Sequence, residues 1–123
     1  MKRKIFTALL SLVAIVGVSF ATVPPTIKVH PLAILVEPNN QFGFLATYTN
    51  TNRFYVVIRE AGQEAQFELL INEETKNILT ESQLIVTGTM TLYNSTREYI
   101  FVVENEEGDR SEVHAFCITI AQP

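Results

Sequence analysis

The chain has 123 residues, with nine Lys and Arg against thirteen Asp and Glu, and a formal net charge of −4. Nucleic acids and anionic membrane surfaces are bound by clustered basic residues, so this balance argues against both as partners. The single cysteine, Cys117, excludes an intrachain disulfide and a cysteine-rich metal site.

The first 21 residues show the three-part pattern of a cleavable signal peptide of bacterial type. Residues 2–4 are basic, residues 5–20 form an apolar run, and small side chains stand at Ser19 and Ala21. This pattern predicts cleavage after Ala21. The alternative is an uncleaved anchor, but a spanning helix needs about 20 apolar residues, and this run is shorter. We expect an exported protein, periplasmic or secreted, with no stable membrane anchor after cleavage.

Removal of the predicted leader leaves 102 residues, a length typical of a single domain. Six basic and thirteen acidic residues remain, so the net charge becomes −7. We assign residues 22–25 to a short linker and residues 26–121 to one domain.

The rest of the sequence alternates short runs rich in Val, Ile, Phe, Tyr and Thr with polar turn clusters. Short strands at this spacing predict an all-β fold, a two-sheet antiparallel sandwich of about seven or eight strands. The predicted strands are Thr26–His30, Ala33–Glu37, Gly43–Thr49, Arg53–Glu60, Ala65–Ile71, Ser82–Leu92, Glu98–Glu104 and Glu112–Ile120.

One stretch of the sequence resembles a known family. Tyr99, Phe101, Val103, Asn105 and Gly108 match, in order and spacing, strand F and the F–G turn of immunoglobulin-superfamily and fibronectin type III domains. Phe101 stands where disulfide-bonded immunoglobulin domains have a cysteine, so the resemblance is to fibronectin type III or bacterial immunoglobulin-like domains. It implies that Tyr99 hydrogen-bonds back to the preceding corner and that Asn105 and Gly108 form a hairpin turn. The fold alone implies no function.

Several predicted strands are apolar on both faces. A half-solvated antiparallel strand should alternate apolar and polar residues, so part of this apolar surface is expected to be exposed. Tyr55, Val57, Ile100 and Val102 are the candidate interaction face. The sequence therefore predicts a non-enzymatic module that binds another protein or itself.

Other chemistry finds weaker support in the sequence. His114 stands near Asp109 and Ser111, but residues on one hairpin do not converge as a catalytic triad must. The acidic turn 104–109 offers oxygen atoms, yet it matches no calcium-binding spacing. We predict no cofactor, and leave open whether this turn binds calcium.

A glycan is the alternative partner, bound by exposed tyrosines. Tyr48, Tyr55 and Tyr93 are the candidates, although a place in the core or at a sheet edge suits each of them better. For Cys117, in an Ala-Phe-Cys-Ile context, we predict a buried small hydrophobic residue rather than a reactive thiol.

Overall fold

The computed structural model describes residues 23–73 and 80–120. The predicted leader lies outside this part of the chain. The described residues form eight strands: β1 Thr26–His30, β2 Ala33–Val36, β3 Gln41–Thr49, β4 Arg53–Glu60, β5 Gln63–Leu69, β6 Ser82–Thr89, β7 Thr96–Glu104 and β8 Arg110–Thr119.

The strands form two sheets. One has three strands in the order β1-β3-β6, and the other has five in the order β2-β8-β7-β4-β5. Neighbouring strands are antiparallel except β2 and β8, which run parallel. The predicted all-β fold of two sheets is therefore confirmed.

The first stretch of chain contributes to both sheets. β1 pairs with β3 in the three-stranded sheet, whereas β2 pairs with β8 in the five-stranded sheet. The change of sheet occurs at Pro31, which follows a cis peptide bond. Proline fixes its own φ and lacks an N–H group, so it suits a position where the chain leaves one ladder for another.

The boundaries of β1 and β4 are as predicted, and those of the other strands shift by up to three residues at either end. β6, for example, ends at Thr89 rather than Leu92. The next residue, Met90, is buried in the core, and its carbonyl accepts a hydrogen bond of 2.6 Å from the Asn39 amide. This bond ties the chain after β6 to the turn between β2 and β3.

A two-residue turn joins β4 to β5. Ala61 and Gly62 have φ angles of +52° and +79°, and Glu60 pairs directly with Gln63. Two successive positive φ values define the tight hairpin turn whose twist matches that of the strands. The turn therefore fixes the register of β5, which begins two residues earlier than predicted.

Aromatic rings fill the space between the sheets. The Phe44 ring of β3 lies 5.0 Å from the Tyr99 ring and 5.8 Å from the Phe101 ring of β7, measured between centroids. Near the other end of β3, Tyr48 meets Phe54 of β4 at 5.0 Å. Edge-to-face contacts at such distances stabilise a core beyond the area they bury. These contacts also place β3 opposite β7 and β4.

Cys117 lies in this core and is fully buried, as predicted. Burial raises the pKa of its thiol, because a thiolate would lose its hydration there. A thiol in such surroundings is a poor nucleophile, which favours a packing role.

Candidate functional site

The four predicted interface residues come together on the outer face of the five-stranded sheet. Tyr55 lies opposite Val102, and Val57 lies opposite Ile100, across the β4–β7 ladder. They form a small apolar cluster of their own, separate from the main core. We call it the outer stripe. Its residues are 1% to 9% exposed, so the exposed apolar area that we expected at these positions is largely covered.

Arg53 and its carboxylate partners cover one end of the outer stripe. The guanidinium carbon of Arg53 lies 4.4 Å from the centroid of the Tyr55 ring. The same guanidinium contacts Glu68 at 2.7 Å and Glu104 at 3.6 Å. Its hydrogen bond lowers the pKa of Glu68. Long charged side chains often lie along apolar surface in this way, and they keep their charged ends in water.

His114 occupies the other end of the stripe, on β8. Its Nδ1 lies 2.7 Å from a carboxylate oxygen of Glu98, and its Nε2 lies 2.8 Å from one of Glu112. These hydrogen bonds, the one to Glu98 first, raise the pKa of His114. Both ring nitrogens are engaged by carboxylates, and the Ser111 hydroxyl donates elsewhere, to the Pro25 carbonyl at 2.7 Å. The triad-type residues of this hairpin therefore do not converge.

A shallow depression of about 300 Å³ lies over the outer stripe. The stripe residues form its apolar floor, and charged or polar side chains of β4, β5 and β8 form its rim. The rim carries both signs of charge, so it fits no simple polyanion. The rim residues are Arg59, Glu64, Gln66, Arg110, Glu112 and His114.

Exposed apolar side chains continue from the depression to the β2 edge of the same sheet. Phe116 lies opposite Glu98, and Ile118 lies opposite Leu35, so all three apolar residues share the outer face. Leu35 is 69% exposed, and Phe116 and Ile118 are each more than one third exposed. Sequence reasoning did not select these residues. Phe116 and Ile118 could have been found from their alternate spacing after His114 on β8. Leu35 could not, because β2 is placed beside β8 by long-range pairing.

Asn105 organises the turn between β7 and β8. Its side-chain oxygen accepts hydrogen bonds from the Glu107 and Asp109 amides at 3.1 and 2.9 Å. Its side-chain nitrogen donates to the Val23 carbonyl at 3.2 Å. Gly108 follows with a φ of +90°, a conformation that glycine adopts without strain. Both residues thus form the hairpin turn expected of them.

Tyr99 departs from the expected contact. Its ring is buried in the core, but its hydroxyl accepts a 3.0 Å hydrogen bond from Arg97 on its own strand, rather than bonding to the preceding corner. The Arg97 guanidinium also donates to Glu60 at 3.0 Å. The predicted hydrogen bond between Tyr99 and the preceding corner is therefore wrong, because the Tyr99 hydroxyl bonds to Arg97 instead. The reason is that Arg97, two residues earlier, points into the sandwich beside Tyr99.

A larger cleft of about 730 Å³ lies at the same end of the sandwich as this Arg97–Glu60 pair. It separates the β4–β5 hairpin from the connection between β6 and β7. Of the tyrosines considered for glycan binding, Tyr48 and Tyr55 are buried. Tyr93, in the connection that borders the cleft, is 44% exposed.

Within residues 23–73 and 80–120, no group of three His, Cys, Asp or Glu side chains is placed to hold a metal ion. In the acidic turn, the Asn105 oxygen is already occupied by backbone amides. The same residues contain no helix long and apolar enough to cross a membrane.

Comparison with known proteins returns no relative. No protein-family model matches the chain, and no curated protein and no solved structure matches it. Its function is therefore argued from its own residues.

Proposed function

We propose that this chain is an exported, non-enzymatic immunoglobulin-like domain that binds another protein through the outer face of its five-stranded sheet. The outer stripe provides the apolar floor of the site, and the rim provides its charges. Leu35, Phe116 and Ile118 extend the contact toward the β2 edge.

The strand order supports the immunoglobulin-like part of the proposal. In that fold the first, second and fifth strands share one sheet, and the third, sixth and seventh share the other. With β1 and β2 taken as two parts of the first strand, β3 and β6 take the places of strands B and E. β4, β7 and β8 take those of C, F and G. β5 adds a further strand beside β4, as in the variable-type arrangement.

The depression over the outer stripe is the observation that carries the binding function. An apolar floor ringed by charged side chains is the arrangement found at the centre of many protein interfaces, where an inserted apolar side chain is shielded from water. Isolated surface apolar residues need no explanation, but Leu35, Phe116 and Ile118 are exposed together on the sheet face that carries the depression. Its mixed rim favours a protein partner, because proteins present both charges next to apolar groups.

Site-specific photo-crosslinking tests the proposal. A photoreactive side chain is placed at Gln66, on the rim, or at Phe116, on the exposed extension, and the control position is Lys28, on the other sheet. In the native exported fraction, discrete adducts at Gln66 and Phe116 but not at Lys28 support the proposal. Equal adducts at all three positions, or none at any, contradict it. Light scattering of the purified domain across concentration then separates a second copy from a different protein.

Glycan binding is the second candidate, supported only by the exposure of Tyr93 beside the cleft. Sugar sites commonly use an exposed aromatic ring with nearby polar groups, and the cleft lining supplies Asn94, Thr96 and Gln63. A glycan array of wild type and Tyr93→Ala decides this. Binding that disappears in the variant supports the candidate, and an array without binding removes it.

A further inference from the structure

The β2 edge of the five-stranded sheet presents backbone groups that no described strand binds. The Phe116 amide donates to the Leu32 carbonyl at 2.9 Å, so Leu32 directs its carbonyl toward β8. Successive residues of a strand direct their backbone groups to opposite sides. Ala33 therefore directs its N–H and C=O away from β8, and so does Leu35, two residues later. Among the described residues, β2 pairs with β8 alone.

The surroundings of the β2 edge are known, because the residues that join β2 to β1 and to β3 are all described. Leu32, just before the strand, is 56% exposed, and Leu35 within it is 69% exposed. Ala33 is exposed as well, whereas Ile34 packs against the core from the other face. The residues whose backbone groups face outward thus also have their side chains in solvent.

No charged residue protects the β2 edge from pairing. Residues 32–36 are all apolar, whereas β5, at the other margin of the same sheet, carries two glutamates. Charged side chains commonly keep edge strands from pairing, and prolines do so as well. Pro31 and Pro38 flank the apolar segment. They limit any pairing to the few residues between them, and those residues include both with outward backbone groups.

This segment is its own complement when two copies run antiparallel. Ala33 of one copy then pairs with Leu35 of the other, and each such pair exchanges both of its N–H···O=C hydrogen bonds. On the outer face, the small Ala33 side chain leaves room for the larger Leu35 side chain opposite it. Ile34 meets its own counterpart at the two-fold axis. The register therefore satisfies every outward backbone group of Ala33 and Leu35.

Charge does not oppose this arrangement. Glu37, directly after β2, is the charged residue nearest to the strand in sequence. In the same register it falls opposite Pro31 of the other copy. The two Glu37 residues then lie at opposite ends of the paired segment, about 20 Å apart for six residues of extended chain. At that distance their repulsion is largely screened by salt.

We propose that two copies of the mature chain pair antiparallel through their β2 edges, about a two-fold axis, and join their five-stranded sheets into one. A two-fold contact uses the same patch on both copies. Leu35, Phe116 and Ile118 of each copy then lie beside those of the other on a shared outer face. Each copy contributes one short strand, so the dimer is weak and depends on concentration. This pairing goes beyond the proposed function, which requires only one copy.

Sedimentation equilibrium of the mature protein tests the pairing. We expect a dimer whose dissociation constant rises about tenfold or more with Leu35→Lys, because two lysines then lie close to the two-fold axis. The matched control is Ile85→Lys, on β6 of the other sheet, because Ile85 is 66% exposed against 69% for Leu35. It should leave the dimer unchanged. Circular dichroism verifies that both variants fold.

Mixed cysteine variants test the register. A hydrogen-bonded antiparallel pair has its Cα atoms about 5.5 Å apart, which a disulfide spans. Ala33→Cys protein mixed with tagged Leu35→Cys protein should therefore form a mixed disulfide under mild oxidation. Two Ala33 residues would lie about 9 Å apart, beyond the reach of a disulfide, so either variant alone should form little. Cys117 is buried and does not compete.

Three results would overturn the proposal. They are a protein that stays monomeric at millimolar concentration, equal weakening by Leu35→Lys and Ile85→Lys, and disulfides that form equally with and without mixing. A strand of a different protein at this edge would give no mixed disulfide between copies. Gln66 lies on β5, at the other margin of the sheet, so its crosslinking result reports on the outer face whether or not the β2 edges pair.

Discussion

Gly88 leaves the space that the Tyr99 hydroxyl occupies. A β-carbon added at Gly88 would lie 2.8 Å from that oxygen and 3.1 Å from Cζ of Phe42. Both neighbours belong to rigid rings within the core, so neither moves aside without disturbing its packing.

We therefore expect Gly88→Ala to destabilise the fold by about 1–3 kcal/mol, the usual cost of overpacking a core. Urea unfolding measures the change. Gly43→Ala, on the adjacent strand, is the control, because its nearest contact is an ordinary 3.5 Å. Gly88→Ala combined with Tyr99→Phe should recover part of the loss. Equal effects of the two glycine substitutions would contradict the steric explanation.

Substitution of Arg53 should uncover the outer stripe. Arg53→Ala removes the guanidinium that lies over the Tyr55 ring, so we expect increased binding of a hydrophobic dye to the folded protein. Arg110→Ala is the comparison, because Arg110 lies on β8 and pairs with Glu112 at 3.2 Å. Dye fluorescence of the two variants at equal concentration measures the effect. A larger increase with Arg110→Ala would show that the cover is provided elsewhere.

Stability should fall through His114 as the pH rises above 6.5. Its pKa is raised in the fold by Glu98 and Glu112, so the protonated ring stabilises the native state. That contribution is complete below the unfolded value of 6.5 and is lost as pH rises through the folded pKa. The pKa of Glu112 is lowered, chiefly by His114, so its contribution is complete above 4.5 and is lost as pH falls through its folded pKa. The pair contributes most between pH 4.5 and 6.5.

Comparison with His114→Gln tests this pH dependence. Unfolding free energies of both proteins, measured from pH 5 to 9, should converge at high pH. Because solvent screens a pair this exposed, the difference near pH 5.5 should not exceed about 1 kcal/mol. Arg59 contacts Glu98 and Arg110 contacts Glu112. Both arginines are present in the wild type and in the variant, so their contribution cancels in the comparison. A difference that grows with pH would contradict the assignment.

Loss of the Asn105 side chain should weaken the β7–β8 turn. Asn105→Ala leaves the Glu107 and Asp109 amides without their side-chain acceptor, at a cost of about 1–3 kcal/mol, whereas the Val23 carbonyl keeps its hydrogen bond from Asn50. Glu106→Ala, at an exposed position in the same turn, is the control and should change stability by no more than about 0.5 kcal/mol. Urea unfolding of both variants measures the difference. An unaffected Asn105→Ala protein would remove Asn105 from its structural role.

The sequence predicted local structure well where composition changes abruptly. β4 was predicted with its observed bounds, because its dense run of apolar residues lies between two polar turns. β5 was predicted to start too late, because its start depends on the backbone conformation of Ala61 rather than on side-chain hydrophobicity. Strand existence therefore follows from pattern, and strand ends follow from turn geometry.

The candidate surfaces depended on pairing that sequence alone does not provide. Tyr55 was selected for its apolar character, but its covering by Arg53 follows from the registers that place Glu68 and Glu104 on either side of Arg53. The division into a five-stranded and a three-stranded sheet was not predicted either, because strand order is set by long-range contacts.

The parallel pairing of β2 with β8 has a consequence for the order in which this molecule assembles. The partner of Ala33 is Phe116, so a strand near the start of the domain has no ladder until the last strand has been synthesised. β1 can pair as soon as β3 has been synthesised, whereas β2 can pair only after β8 has been synthesised. The five-stranded sheet is therefore completed by joining the two ends of the sequence. A chain shortened before β8 would lose both its last strand and the attachment of its second.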